Sequence, residues 1–120
     1  MALAALSAAA VLDVGSAMAE AAPSVSPFAG TYAGPVPNTT ISSGGQFSGA
    51  DDDGQTQMSI KGRVSADGRY SYNVTVIIFD LRRHRVSQFS DQHAGNMALD
   101  PDGNIVGTED TGVSFIWIRR

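Results

Sequence analysis

Three stretches of the chain hold residue types that could do chemistry. The densest is Leu81-Arg82-Arg83-His84-Arg85, which carries three of the eight Lys and Arg residues. Guanidinium forks match carboxylate and phosphate geometry, so Arg82, Arg83, His84 and Arg85 are candidates for contact with an anion, an acidic surface or a glycan. The competing reading is a solvated connection whose charges keep the preceding apolar strand from pairing with other molecules. Asp51-Asp52-Asp53-Gly54 sets hard oxygen ligands beside a flexible glycine, as a Ca²⁺ site could. Its closing position, where an EF-hand loop has Glu, is Gly62, and an acidic solvated turn accounts for the run. No metal ligand and no cofactor is expected.

The third stretch surrounds the only two histidines, His84 and His93, with Ser87, Ser90 and Asp91 between them. No G-x-S-x-G elbow is present, and neighbours along a strand point to alternate faces. No pair of carboxylates is singled out by spacing either. No catalytic residue is assigned, and the chain is not expected to be an enzyme.

Residues 1–19 read as a secretory signal peptide. Leu3 to Val14 is a short apolar run, and Ala17-Met18-Ala19 before Glu20 fits the cleavage rule. No Lys or Arg precedes the run, which departs from the usual pattern and points to a start upstream of Met1. An Ala-rich helix is the alternative. The run is too short to span a membrane and contains Asp13. The mature protein is therefore expected to be exported, periplasmic or extracellular, with no membrane contact after cleavage.

Removal of residues 1–19, whose only charge is Asp13, changes the net charge from −4 to −3. This gives no basic face for nucleic acid. The absence of cysteine excludes disulfides and thiolate zinc sites. Residues 20–27, EAAPSVSP, form a linker without periodicity, and residues 28–120 are long enough for one domain. Asn38-Thr39-Thr40 and Asn73-Val74-Thr75 match the glycosylation pattern and are attributed to chance.

From Phe28 the texture is all-β. Gln57–Val64 alternates, with Met58, Ile60 and Val64 on one face, and Ser65-Ala66-Asp67-Gly68 turns it into a strand over 69–81. There Tyr70, Tyr72, Val74, Val76 and Ile78 share a face. Further strands are expected at 28–33, 39–41, 46–48, 86–89, 96–99, 105–108 and 113–118, with Asp100–Asn104 as a Pro-Gly turn. An antiparallel meander of about eight short strands, closed or partly open as an up-and-down barrel, is the expected fold, with a two-sheet sandwich as the alternative. The aromatics Tyr70, Tyr72, Phe115 and Trp117 are expected in the core.

The run Phe28-Ala29-Gly30-Thr31-Tyr32-Ala33-Gly34, the step Gly45-Gln46-Phe47-Ser48-Gly49 and the Gly62–Tyr70 hairpin resemble a class of uncharacterised bacterial exported β-meander proteins. F-x-G-x-Y, G-x-F-S-G and D-G-x-Y phrases recur in that class. The resemblance implies the architecture and the exported location; it implies no activity and no functional residue.

Two strands turn apolar on both faces. Ile77, Phe79 and Leu81 alternate with Val76 and Ile78, and Ile116 and Ile118 alternate with Phe115 and Trp117. On a filled barrel, Ile77, Phe79, Leu81, Ile116 and Ile118 would form an outer patch on adjacent strands that a partner protein or a second copy covers. The expected function is a non-catalytic exported domain acting through such protein contacts, structural or adhesive. The alternative is a carrier with an apolar barrel pocket for one small ligand.

Overall fold

A computed structural model describes residues 25–120. The expected signal peptide, and linker residues 20–24, lie outside the described residues. Eight strands follow one another: β1 (Gly30–Ala33), β2 (Thr39–Ile41), β3 (Gln46–Asp52), β4 (Thr56–Val64), β5 (Arg69–Phe79), β6 (Arg85–Leu99), β7 (Ile105–Glu109) and β8 (Ser114–Arg119). Each pairs antiparallel with the next, and β8 returns to β1. The protein is therefore a closed up-and-down barrel, and the sandwich is not formed.

Two local expectations change. The strands expected at 86–89 and 96–99 are halves of one, the 15-residue β6. Its middle, Ser90 to Gly95, has no apolar alternation because Ser90 to Ala94 face either solvent or the open cavity and Gly95 is buried against Tyr70. The docked chain also begins before Phe28, since Ser26 donates its backbone N–H to the Ser43 carbonyl at 2.8 Å. Phe28 is buried behind it as a plug in the lower end of the barrel.

The inward faces are those the alternation marked. Val64, Tyr70 and Gly95 share one cross-strand row, Gly62, Tyr72 and His93 the next, and Ile60, Val74 and Asp91 the one after. The β4–β5 turn closes as Ser65 to Gly68, with Gly68 at φ 97°. A side chain there would adopt a disfavoured conformation and would run into the carbonyl of Met97. Glycine lets the turn dock on β6, where the Met97 N–H donates to the Gly68 carbonyl at 2.8 Å.

The lower barrel is filled. Tyr32, Ile41, Phe47, Tyr70, Ile105 and Trp117 are all at least nine-tenths buried. The closing seam is narrow, with only Tyr32 opposite Arg119 and Ala33 opposite Ile118. Arg119 reinforces it from the end of β8. Its side chain donates to the Gly103 carbonyl and to the Tyr32 hydroxyl, both at 2.9 Å, and its guanidinium lies 4.9 Å from the centre of the Tyr32 ring. Tyr32 in turn donates to the Phe28 carbonyl at 2.7 Å.

Strand lengths are unequal, and this shapes the upper end. β6 pairs with β7 only over Gly95–Leu99, and β3 pairs with β2 only through Phe47 and Ser48. Above those points β3, β4, β5 and β6 continue as a four-stranded apron that stands over the barrel mouth. Among the described residues, the apron has free edges along the upper parts of β3 and β6.

Candidate functional site

The basic cluster folds into the β5–β6 turn, where most of it is occupied. Asp80 Oδ1 accepts the backbone N–H groups of Arg82 at 2.8 Å and His84 at 2.9 Å. The His84 ring lies 3.4 Å from the same carboxylate. Arg83 adopts φ 62° and reaches across the apron tip to Asp52, at 3.2 and 3.1 Å, and to the Gly54 carbonyl. Its guanidinium also covers Phe79 at 4.2 Å. Arg85 donates to Gln88 at 2.9 Å. Among the described residues only the Arg82 side chain is without a partner, so the cluster works chiefly as a clamp between two hairpin tips.

The Asp51–Asp53 run is divided in the same way. Asp53 Oδ1 accepts the N–H groups of Gln55 at 2.9 Å and Thr56 at 2.7 Å, and Asp52 takes Gly54 and Arg83. The Arg83 hydrogen bond holds the Asp52 carboxyl below the usual carboxylate range, and the two backbone donors do the same for Asp53. Among the described residues no three His, Asp or Glu side chains are grouped to hold a metal ion.

The outer apolar residues do not form the expected patch. β6 and β7 lie between β5 and β8, so Ile77 and Phe79 are on a different wall from Ile116 and Ile118. Ile77 and Phe79 are half-buried. Leu81 is 89% exposed in the turn, and Ile116 is 53% exposed beside Val106.

The residues between the histidines separate as well. Ser90 faces outward to the Thr75 hydroxyl at 3.1 Å. Ser87 is six residues from His93 along one strand, roughly 20 Å at strand rise. His93 pairs instead with Glu109, Nδ1 to Oε2 at 2.8 Å, and its ring stacks on Tyr72 at 4.9 Å. This pair was missed in the sequence. Its one signal was a carboxylate in phase with Ile105 and Gly107 on an inward face, because Glu109 lies opposite Gly95 in the ladder.

These side chains meet at the barrel mouth. Tyr72 and Trp117, 5.8 Å apart, form its floor, and Met58, Val74 and Val76 on the apron form one wall. Gly34 and Pro35 form the opposite lip. The open cleft they line with Asp91 and His93 measures about 480 Å³, within the range of small-molecule sites. Behind the floor, Tyr70 stacks on Tyr72 and meets Phe115 edge-on. The Tyr70 hydroxyl lies near Glu109 but is buried without a well-formed hydrogen bond. Burial, then the Glu109 charge, push the Tyr70 phenol up to about 12 and raise Tyr72 further. Burial also raises Tyr32, against the opposing effect of Arg119.

Two outcomes follow from the tyrosines. Because all three phenols are raised in the folded state, the unfolded chain releases its protons first. Their contribution to stability is therefore complete below about pH 10 and falls as pH rises toward about 12. In an alkaline titration the tyrosinate absorbance should appear together with loss of the β circular dichroism signal; early ionisation of a folded protein would contradict the burial. Tyr70→Phe should leave stability unchanged or raise it by about 1 kcal/mol, since it removes a buried unpaired hydroxyl. Loss of more than about 1 kcal/mol in urea unfolding would show that the hydroxyl has an acceptor. Comparison of the chain with protein-family models, curated proteins and solved structures finds no match.

Proposed function

We propose that this protein is a non-catalytic binding domain that carries a small apolar ligand in the mouth of its barrel, and that it works after export from the cytoplasm. One observation carries the reading. The inward-facing apolar rows do not stop where the barrel stops: Met58 and Val76, and above them Ile78, continue past the last β6–β7 rung. Below that rung such residues are packed core. Above it Met58 and Val76 face the cavity over Tyr72 and Trp117.

Apolar side chains held at an open mouth favour occupation, because covering them gains roughly 25 cal/mol per Å². The rigid floor means little ordering cost on binding. The outer apolar side chains, divided between two walls, give less support to a protein contact than to this site. The unpaired upper edge of β6 does favour a second reading, in which another strand adds to the apron. Light scattering tests this second reading for self-association, because strand addition between copies requires a dimer or larger species.

The test uses the full chain and N-phenyl-1-naphthylamine, a neutral apolar fluorophore. Trp117 is the only tryptophan, so energy transfer from it reports occupancy of the mouth directly. Binding should saturate at one probe per chain. Val76→Lys, which puts a charge in the apron wall, should weaken it at least about tenfold, the scale of burying or displacing an apolar side chain. No saturable transfer from Trp117, or full binding by Val76→Lys, would overturn the reading.

A further inference from the structure

We propose that the ligand of the mouth is an amphiphilic cation, an amine or quaternary ammonium on an apolar body, whose positive group is held by Asp91. The inference rests on the carrier reading and names the ligand class for the same site. It comes from the way register sorts charge between the two faces of the apron. The concave face carries three rows: Gly49, Ile60, Val74 and Asp91; then Asp51, Met58, Val76 and Phe89; then Thr56, Ile78 and Ser87. Every charge in these rows is negative. Lys61 and Arg63 alternate onto the convex face, in line with Asn73 and Ser71.

The two concave carboxylates stand at opposite margins of the apron, Asp51 on β3 and Asp91 on β6, with the apolar rows between them. Both are without a hydrogen bond or ion pair among the described residues. Most other aspartates are engaged: Asp52 with Arg83, Asp110 with Arg69 at 2.6 Å, and Asp53, Asp80 and Asp100 with backbone N–H groups of their turns. Asp91 lines the cavity directly. His93 does not reverse the sign, because its imidazole is paired with the Glu109 carboxylate. The pair carries at most zero net charge in either protonation state of the ring.

A carboxylate left without a cation, at the rim of an apolar cavity, is complementary to a ligand with a cationic head and an apolar body. The apolar part displaces water from Met58, Val74 and Val76, while the head stays at the partly wet rim beside Asp91. A neutral ligand would gain only the first effect, and an anionic one would be repelled by Asp91 and Asp51.

The experiment compares three probes built on a chain of about ten carbons with different heads, decyltrimethylammonium, decanol and decanoate, the two ions below their critical micelle concentrations and the alcohol below its solubility limit. They are titrated into the full chain with Trp117 emission as the readout. The cation should bind about two- to fivefold more tightly than the alcohol, the scale of one exposed charge contact, and decanoate most weakly. Asp91→Asn should remove most of the preference for the cation over the alcohol. Raised salt should narrow the gap between cation and alcohol. Equal binding of cation and alcohol, or a preference for decanoate, would overturn the cation inference and leave the carrier reading intact. Failure of all three probes to perturb Trp117 would overturn both.

Discussion

Tyr72 is the contact on which the rest of the barrel depends. Its ring touches Phe47 on β3 at 5.7 Å, Tyr70 at 5.7 Å, His93 on β6 at 4.9 Å and Trp117 on β8 at 5.8 Å. One side chain thus ties together β3, β5 and β8, which share no hydrogen bonds with one another. Room for it comes from Gly62 directly opposite on β4, where even one added carbon would meet the Tyr72 backbone and β-carbon. Because side chains alternate with period two, a slip of one residue in β5 would turn Tyr70, Tyr72 and Val74 outward together. Register, core packing and the floor of the mouth are therefore a single constraint.

Above that ring the chain stops paying attention to closure and the energetics change. Short β1, β2, β7 and β8 end near the level of Tyr72, while β3 to β6 run on. The apron keeps its backbone bonded between strands but exposes apolar side chains on one face, with Phe89 47% exposed at its margin. Its tip is held by the Arg83 clamp to Asp52 and by the cover that the same guanidinium gives Phe79. Arginine suits this task because one planar group can donate to a carboxylate from its edge and stack an aromatic on its face. What remains open is the mouth, where a stable floor meets an apolar wall that has no partner within the described chain.

The lower barrel was legible in the sequence because its determinants are local. Alternation in Gln57–Val64 and Arg69–Val76 gives the inward faces, and Asp67-Gly68 and Asp100–Asn104 give the turns. The rest depends on pairings between distant residues. Arg83 meets Asp52 across 31 positions, and His93 meets Glu109 across 16; no local pattern pairs Arg83 with Asp52, and Glu109 is marked only by its phase with Ile105 and Gly107. β6 was divided because Ser90 to Gly95 lacks the apolar rhythm of a buried strand, which is itself the trace of its position beside an open cavity. The supposed outer patch failed for a related reason: two-faced apolar strands were assumed to be neighbours, whereas strand order places β6 and β7 between them. Strand length could be read locally, but the place where a strand loses its neighbour could not.

The central claim is that the sheet is closed below His93 and open above it, and site-resolved amide hydrogen exchange on the full chain tests it most directly. In an antiparallel edge strand every second N–H points away from the only neighbour and is unprotected. Continuous protection is expected through Tyr70–Val74 and Gly95–Leu99, with alternating fast and slow amides along Val86–Gln92. Continuous protection along Val86–Gln92 would mean that the β6 edge is covered and the mouth closed, and would contradict the account.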